Sequence, residues 1–393
     1  MRLLAGTESG PLSLERHTAV HGPPGERADL IEAVEQFGLR GRGGAAFPTA
    51  VKMLAAARHR GPRTVLVNAA EGEPLSAKDR VLCELSPHLV LDGALAAARA
   101  IDARQIVVAV RGDGVAALDG LHRAVAERGL GGRVRVVPVP VAYLAGQESA
   151  LINFLEGRQL KPSTVPPLPV ERGIGRRATL VQNPETLAHV ALIDRGVHSP
   201  TALITVGGAV RQAGVLEIAG GEPLTAILDA AGGRTEPLQA VLVGGFHGGW
   251  IADTEIASAR LDVAALRAGV IIALGESACA PREIANVMAW LAGQVAGQCG
   301  PCANGMPAIA SLLSQVVDGT SAPGAHAQLL RWSADVSGRG ACHLPDGAVR
   351  FLADGLELFA ADFAQHARNG PCRACRSPSV LLPVPAARGR AAA

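Results

Sequence analysis

Lysine, tyrosine and long apolar runs are what this 393-residue sequence has least of. No apolar run approaches the roughly 20 residues that a membrane-spanning helix needs. The first ten residues, MRLLAGTESG, contain no apolar core of a signal peptide. The net charge of +2 argues against a protein that coats nucleic acid or binds membranes through a polybasic surface. We therefore expect a cytoplasmic protein with no nucleic-acid partner and no direct membrane insertion.

The scarcity of lysine makes the remaining lysines informative. Of the 37 basic residues only Lys52, Lys78 and Lys161 are lysines, and Tyr143 is the one tyrosine. An ammonium is compact and sits on a flexible stem, whereas a guanidinium is planar and rigid. Lysines kept in an arginine-rich chain are therefore candidates for sites that a guanidinium does not fit. Chance survival is the alternative explanation for any one of them.

The seven cysteines are too few and too scattered for a disulfide framework, which leaves metal ligands and buried thiols. Cys299 and Cys302 form a C-x-x-C pair between two predicted helices, and Cys342 lies in a later helix–helix connection. Zinc usually takes its ligands as two close pairs, whereas iron–sulfur clusters accept mixed cysteine spacing. The pattern predicts an iron–sulfur site held by Cys299, Cys302 and Cys342, with buried structural thiols as the alternative.

The other four cysteines carry weaker signals. Cys372 and Cys375 form a second C-x-x-C pair near the end of the chain. This pair can contribute a ligand, serve a partner or have no role. Cys83 and Cys279 are flanked by helical patterns, so we expect them to be small buried apolar residues.

The order of apolar segments predicts three kinds of structure. Strands alternate with helices up to about Tyr143, which indicates a parallel α/β sheet. Residues 158–182 are rich in Pro, Arg and Gly and predict a long irregular loop. Short glycine-bounded strands around one helix follow from about residue 198, and amphipathic helices follow from about residue 280.

Polar residues gather in segments that suit ligand binding. The segment GLRGRGGAAFPTAVK (38–52) runs from a glycine-rich loop into a helix, an arrangement that can hold an anion near Lys52. NAAEGEP follows a buried strand, and YLAGQE (143–148) follows another. Ligands of α/β sheets bind at such carboxyl ends of strands. Tight loops and charged surface turns are the alternative explanations.

Together these segments resemble the flavin-bearing F subunit of respiratory complex I (NADH-quinone oxidoreductase) and the related flavin subunits of NAD-linked hydrogenases and formate dehydrogenases. The resemblance is carried by GLRGRGGAAFPTAVK, NAAEGEPLSAKDR, YLAGQESALINFLEGR, VQNPETL and GQCGPC with the later Cys342, in the family's order. It covers roughly residues 38–370.

The resemblance implies a multidomain α/β plus α fold. A Rossmann-like FMN- and NADH-binding domain is expected over residues 1–196, and a ubiquitin-like β-grasp (SLBB) domain over 197–255. A helical iron–sulfur-binding domain is expected over 265–370, followed by a flexible tail over 371–393.

The resemblance also implies cofactor-binding residues and no catalytic acid or base. The glycine-rich loop and lysine would line the flavin phosphate and NADH. NAAEGEP would address the isoalloxazine and nicotinamide side, YLAGQE would flank the flavin ring, and VQNPETL would close on the FMN. The residues at those positions are Gly41, Arg42, Gly43, Gly44, Phe47, Lys52, Asn68, Glu71, Glu73, Tyr143, Gly146, Glu148, Asn183 and Thr186.

The cluster motif departs from the family pattern of C-x-x-C-x-x-C plus a distant cysteine. Its first position is Ala296, and the arginine that usually follows the motif is Ala303. Three cysteines remain, and the fourth ligand is open. The candidates are His343, Cys279, a tail cysteine, a water molecule or none, so either a 4Fe–4S or a 3Fe–4S cluster is possible.

The pocket for NADH is also altered. An acidic residue of the family is Ala70 here, and two aromatic positions are Ala55 and Leu168. Each lost ring forfeits about 0.5–1.5 kcal/mol of stacking, so we expect NADH to bind about tenfold more weakly or worse.

The resemblance predicts an NADH dehydrogenase-like subunit that passes electrons from NADH through FMN to an iron–sulfur cluster and a partner. That partner is another electron-transfer subunit or a ferredoxin, with docking to a membrane complex possible. A second prediction keeps the flavin and cluster without NADH oxidation and exchanges electrons with a ferredoxin or a membrane reductase. A third is a non-redox SLBB-type binding protein.

Overall fold

The computed structural model describes residues 2–382, so residues 383–393 of the predicted tail lie outside the described residues. The α-helices are α1 (Leu14–His21), α2 (Leu30–Gln36), α3 (Thr49–Arg58), α4 (Lys78–Leu85), α5 (Pro87–Ala100), α6 (Val115–Glu127), α7 (Glu148–Leu155), α8 (Pro184–Asp194), α9 (Leu224–Ala230), α10 (Ala280–Gly293), α11 (Met306–Val317), α12 (Ala325–Val336), α13 (Leu344–Leu358) and α14 (Ala360–Asn369). The strands are β1 (Arg63–Ala69), β2 (Gln105–Arg111), β3 (Val134–Val139), β4 (Ala178–Gln182), β5 (Thr201–Gly208), β6 (Gly214–Ala219), β7 (Glu222–Pro223), β8 (Leu238–Val243), β9 (Gly249–Ala252), β10 (Arg260–Leu261) and β11 (Val270–Gly275).

The chain divides into two compact units that interleave along the sequence. The first unit comprises Met1–Thr205, Val215–Glu222 and Leu261–Gly269. The second comprises Val206–Gly214, Pro223–Arg260 and Val270–Ala393. The three predicted domain ranges and the tail boundary stay a prediction, because these units are defined by compactness alone.

The first unit is built on a parallel sheet with strand order β3-β2-β1-β4. β1 pairs in parallel with both β2 and β4, and Val67 of β1 stands opposite Gln182 of β4. The chain therefore adds β2 and β3 on one side of β1 and β4 on the other. In doubly wound sheets the point where the direction of winding reverses is where a ligand crevice opens.

Close packing of two helices covers this sheet. α5 and α8 are both almost entirely buried. A Cβ added to Gly93 of α5 would lie 1.7 Å from the carbonyl oxygen of Leu187 in α8, so only glycine permits this approach. The apolar runs of β1 and β2 lose nearly all their exposure beneath the helices, as expected for strands of a parallel sheet.

The second unit contains antiparallel strands and the C-terminal helices. β8 pairs in antiparallel fashion with both β11 and β9. Ring contacts then join this strand region to the helices: Phe246 meets Trp290 with ring centroids 5.7 Å apart, and Trp250 meets Phe359 at 5.4 Å. The parallel sheet followed by a helical C-terminal region confirms the predicted fold class.

Among the described residues, none of the individual helices has the length and apolarity needed to span a membrane. α4 and α5 reach that standard only when taken as a pair, and the pair is bent by 97°.

Candidate functional site

The carboxyl ends of β1 and β4, where the winding of the sheet reverses, are the place where a ligand crevice is expected in the first unit. Asn68 is near the end of β1, and Asn183 directly follows β4. Because these strands are parallel neighbours on either side of the winding reversal, their polar ends are placed at one edge of the sheet. Two segments that are distant in sequence thus supply polar groups to one place.

The glycine-rich loop is fastened to the start of α8. The Asn183 side chain caps this helix by accepting a hydrogen bond from the Thr186 amide at 3.1 Å. The Thr186 hydroxyl in turn accepts a hydrogen bond from the Arg42 amide at 2.9 Å. Gly43 is near Asn183, since a Cβ added to it would lie 3.9 Å from the Asn183 Cβ. The loop therefore sits at a helix N-terminus, where the helix dipole and free N–H groups favour an anion.

A buried cluster of charged residues contacts Asn183 and the first turn of α8. The Lys78 ammonium lies 2.8 Å from a carboxylate oxygen of Asp79 and 2.8 Å from one of Glu185. Asp79 also accepts a hydrogen bond from the side-chain Nδ2 of Asn183 at 3.2 Å. Burial lowers the pKa of Lys78, but the two carboxylates outweigh burial and raise it above its ordinary value. Lys78 thus stays charged and holds α4 against α8.

Arg42 extends the same cluster. Its guanidinium donates to the carbonyl of Thr201 at 3.1 Å and lies 3.7 Å from a carboxylate oxygen of Glu185. Sequence reasoning did not select Asp79 or Glu185. Only their places in the sequence could have indicated them: Asp79 directly follows Lys78, and Glu185 lies within the VQNPETL segment.

The predicted residue Glu71 has a supporting position. Its carboxylate accepts hydrogen bonds from the Ser76 hydroxyl at 2.7 Å, the Asp79 amide at 3.0 Å and the Arg80 amide at 3.2 Å. These partners surround the start of α4, so the side chain caps that helix. Burial and the nearby Asp79 raise the pKa of Glu71. Its backbone φ of 38° is in the left-handed region, which ties the loop to this geometry.

The loop after β1 abuts the turn that follows β3. The side-chain Nδ2 of Asn68 donates to the carbonyl of Gly146 at 2.9 Å. A Cβ added to Gly72 would lie 2.3 Å from the carbonyl oxygen of Tyr143, so the two segments touch through their backbones. The structure therefore brings together Asn68, Tyr143 and Gly146, which sequence reasoning had placed beside the flavin ring.

Two more predicted residues form an ion pair. The Lys52 ammonium on α3 contacts a carboxylate oxygen of Glu148 on α7. About a quarter of the Lys52 side chain and over a third of the Glu148 side chain remain exposed (24% and 37%). Phe47, just before α3, is 46% exposed, whereas Glu73 is 8% exposed. Lys52 and Phe47 are thus available to a bound molecule.

The residues at the crevice fit a flavin mononucleotide. The glycine-rich loop, the N-terminus of α8 and the Lys52 ammonium suit a phosphate, and amide groups suit the polar edge of a flavin ring. Within residues 2–382, the buried side-chain nitrogen of Gln182 at the end of β4 has no hydrogen-bond partner. It is therefore a donor that a bound flavin could use. Sequence reasoning missed Gln182, although it directly precedes Asn183.

The cysteines of GQCGPC lie just before the N-terminus of α11 in the second unit. Pro301–Gly305 forms a single π-helical turn that leads into α11, a feature common at functional sites. Cys302 and Cys342 are buried, and Cys299 is half-buried. Burial raises the pKa of Cys299, but N–H groups of Ala341 and Cys302 outweigh it and lower the pKa below its ordinary value.

The three sulfurs of this group influence one another. Burial, together with Cys299 and Cys342, raises the pKa of Cys302 to about 12. The backbone N–H of Ala296 also interacts with the Cys302 sulfur. The Cys299 sulfur also interacts with the backbone of Ala341, so the loop before α11 and the loop before α13 lie near each other at these cysteines.

Cys279 and the tail cysteine Cys375, two of the candidates for the open fourth ligand, lie next to each other. The sulfur of Cys279 lies 3.4 Å from that of Cys375 and 3.3 Å from the His366 ring nitrogen. His343 has a side chain that is 99% exposed and lies beside Asp346. Cys279 is buried as expected, but it is also part of a group that sequence reasoning did not assemble.

Comparison with known proteins agrees with this geometry. Residues 34–192 match the family described as the Nuo51 FMN-binding domain. Residues 282–366 match the NADH-ubiquinone oxidoreductase-F iron-sulfur binding region. The NADH-quinone oxidoreductase F 2 subunit of Rhizobium meliloti is 30% identical over 380 residues, which cover 88% of this chain and 90% of that protein. This chain belongs to the family of NADH-quinone oxidoreductase F subunits.

Other members of the family and a solved structure extend the likeness. The NADH-quinone oxidoreductase F subunit of Aquifex aeolicus is 28% identical over 371 residues, covering 87% of this chain and 86% of that protein. An NAD⁺-reducing [NiFe]-hydrogenase in its H₂-reduced state aligns with a TM-score of 0.81 at 27% identity. The alignment covers 88% of this chain and 64% of the hydrogenase chain, so this chain spans less than two thirds of that one.

These matches confirm the family resemblance, the FMN-binding domain and the 4Fe–4S-binding region predicted from the motifs. The individual cofactor-binding residues and the ligands Cys299, Cys302 and Cys342 stay predictions.

Proposed function

We propose that this chain takes electrons from NADH onto FMN and passes them singly to an iron–sulfur cluster and then to a partner. The observation that carries the proposal is the presence of both an FMN-binding and an iron–sulfur-binding region in one chain that spans 90% of an F subunit. A non-redox SLBB-type role is not favoured, since it leaves both regions unexplained.

The crevice residues have separate tasks in this proposal. Gly41, Gly43 and Gly44 let backbone N–H groups approach the flavin phosphate, while Lys52 and the start of α8 balance its charge. Asn68 and the Tyr143–Gly146 turn border the ring. A bound flavin supplies the conversion of a two-electron donor into single electrons, a chemistry that no side chain can supply. The protein contributes binding and orientation.

The cysteine group has the matching task in the second unit. Cys299, Cys302 and Cys342 would hold the cluster, with Ala296 at the usual position of a fourth thiolate. A water molecule or His343 as fourth ligand, or a three-iron cluster, would alter the cluster charge and with it the reduction potential.

A second candidate function keeps the flavin and the cluster but not NADH as donor. Positions 55 and 168, aromatic in the family, are Ala55 and Leu168, and both are exposed here. An exposed alanine and leucine offer an adenine base no ring to stack on. In that case electrons would come from a ferredoxin or a membrane reductase.

We further propose that the acceptor is another electron-transfer subunit or a ferredoxin. The relatives are named as subunits of NADH-quinone oxidoreductase, which supports a partner without identifying it. Docking at the cytoplasmic face of a membrane complex is part of this proposal.

An anaerobic titration of the FMN-loaded full chain with NADH tests the donor. The flavin absorbance is followed at its visible maximum, and dithionite is added last. Bleaching by about one equivalent of NADH supports NADH oxidation, because hydride transfer delivers two electrons to one flavin. Bleaching by dithionite but not by NADH contradicts it and favours the second candidate.

A further inference from the structure

A compact group of four metal-ligating side chains lies in the second unit, apart from the GQCGPC cysteines. It consists of Cys279, His366, Cys372 and Cys375, and all four ligand atoms lie within 4.8 Å of one another. Cys279 and His366 are buried, and the other two cysteines are half-buried. Within residues 2–382, no other group of three or more cysteine, histidine or acidic side chains meets the same criterion.

The spacing within this group matches one tetrahedral ion. The Cys279 and Cys375 sulfurs are 3.4 Å apart, and the Cys372 and Cys375 sulfurs are 3.8 Å apart. The Cys279 sulfur lies 3.3 Å from the His366 Nε2 atom. With Zn–S bonds of about 2.3 Å and Zn–N bonds of about 2.0 Å, a regular tetrahedron places sulfurs roughly 3.8 Å apart and sulfur and nitrogen roughly 3.5 Å apart.

The histidine is oriented for metal binding by a second contact. His366 Nδ1 lies 3.0 Å from the carbonyl oxygen of Val317, the last residue of α11. A carbonyl accepts only from a protonated nitrogen, so Nδ1 carries the proton and Nε2 presents its lone pair to the three sulfurs. This arrangement of a ligating histidine is the usual one in metal sites.

The conformation of the chain after α14 places Cys372 and Cys375 next to Cys279 and His366. Gly370 ends α14 with a φ of 75°, and a 3₁₀ turn over Arg373–Arg376 begins directly after Cys372 and contains Cys375. The next residues are clamped to α10, where Glu283 accepts hydrogen bonds from the amides of Val380 and Leu381 at 3.0 and 2.9 Å. Segment 371–382 is thus held at the same end of α10 as Cys279.

We propose that Cys279, His366, Cys372 and Cys375 form a structural zinc site. Cys₃His is a closed set of four N and S ligands, which is typical of structural zinc. A polynuclear iron–sulfur cluster occupies the space between its cysteines and needs them farther apart than a single ion does. On binding, the three thiols release their protons and the zinc ion stays divalent, so no oxidant or reductant is involved.

The proposed site has a role distinct from electron transfer. It joins the start of α10, the end of α14 and segment 371–382 through one ion. It also removes Cys279 and the two tail cysteines from the candidates for fourth cluster ligand, which leaves His343, water or an open iron position beside Cys299, Cys302 and Cys342.

Metal analysis of the full chain, purified anaerobically without chelators, tests this proposal. We expect one zinc per chain in addition to cluster iron. Cys375→Ser should lower zinc at least fivefold while iron and FMN stay near their original amounts. Cys302→Ser should do the reverse, with iron lost and zinc kept. Cys83→Ala serves as the matched cysteine control, since Cys83 is buried in the first unit and should change neither metal.

Substitution by cobalt identifies the ligands without relying on activity. The full chain produced with Co²⁺ should show the visible absorption of a tetrahedral thiolate-bound ion, and Cys375→Ser should abolish it. Less than about 0.2 zinc per chain in the original protein, iron at this site in place of zinc, or full zinc retention in Cys375→Ser would each overturn the proposal.

Discussion

The ion pair between Lys52 and Glu148 joins two predicted cofactor-binding segments that are 96 residues apart in sequence. Among single residues, Lys52 therefore gives the most direct test of the predicted flavin site. A guanidinium has the same charge but a planar, bulkier head. Lys52→Arg should therefore weaken FMN or dinucleotide binding about tenfold, which corresponds to about 1.4 kcal/mol. Equilibrium titration of the apoprotein with FMN, followed by quenching of flavin fluorescence, measures the change.

Lys161→Arg is the matched control for this experiment. Lys161 is an exposed lysine in the proline-rich loop, and we expect its replacement to leave flavin binding unchanged. Equal affinities for Lys52→Arg and the original protein would show that lysine at position 52 is a coincidence of composition.

Cys302 is the most buried of the three proposed cluster ligands. Cys302→Ser should remove the cluster's visible absorption and its paramagnetic signal while leaving FMN bound, because the flavin crevice belongs to the other unit. Absorption and electron paramagnetic resonance spectra of the reduced variant provide the measurement. Survival of both cluster signals would mean that the ligands are assigned wrongly.

At the scale of elements, the contact between the loop after β1 and the Tyr143–Gly146 turn shapes the crevice. Gly72→Ala would put a methyl group 2.3 Å from the carbonyl oxygen of Tyr143, so one backbone has to move. We expect FMN affinity to fall at least tenfold with the fold retained, as measured by fluorescence titration and circular dichroism.

Gly131→Ala is the control for this change, since a Cβ added at Gly131 meets nothing within 4 Å. It should leave FMN affinity as it was. An unaltered affinity in Gly72→Ala would separate this contact from flavin binding.

The same elements illustrate what sequence patterns can predict. The parallel sheet follows from β-branched runs alternating with helical patterns, because both signals are local. Asn68 meets Gly146, and Cys279 meets Cys375, through contacts between segments that are distant in sequence. Such contacts produce no periodic pattern of residues along the chain, so the sequence could not predict them. Glu71 is predicted to bind the cofactor, and its carboxylate also caps α4, a role that only the positions of its neighbours could reveal.

At the scale of the whole molecule, buried histidines make stability depend on pH. Burial lowers the pKa of both His21 and His88 to about 4, against about 6.5 in an unfolded chain. Between these values the unfolded chain binds more protons than the folded one, so stability is complete above pH 6.5 and falls as the pH drops toward 4.

The midpoint of urea unfolding should accordingly be lower at pH 5 than at pH 7. His88→Gln should reduce this difference, whereas His122→Gln should not, because His122 lies exposed on α6. A midpoint that is the same at both pH values in the original protein would refute this explanation.

The central claim is that electrons from NADH reach the cluster through the flavin of the same chain. The most direct test freezes the anaerobic, FMN-loaded protein after addition of NADH and records the paramagnetic resonance of the reduced cluster. We predict a signal that matches the one produced by dithionite and that disappears when FMN is omitted. A dithionite-generated cluster signal with none from NADH, although FMN is bound, would contradict the account.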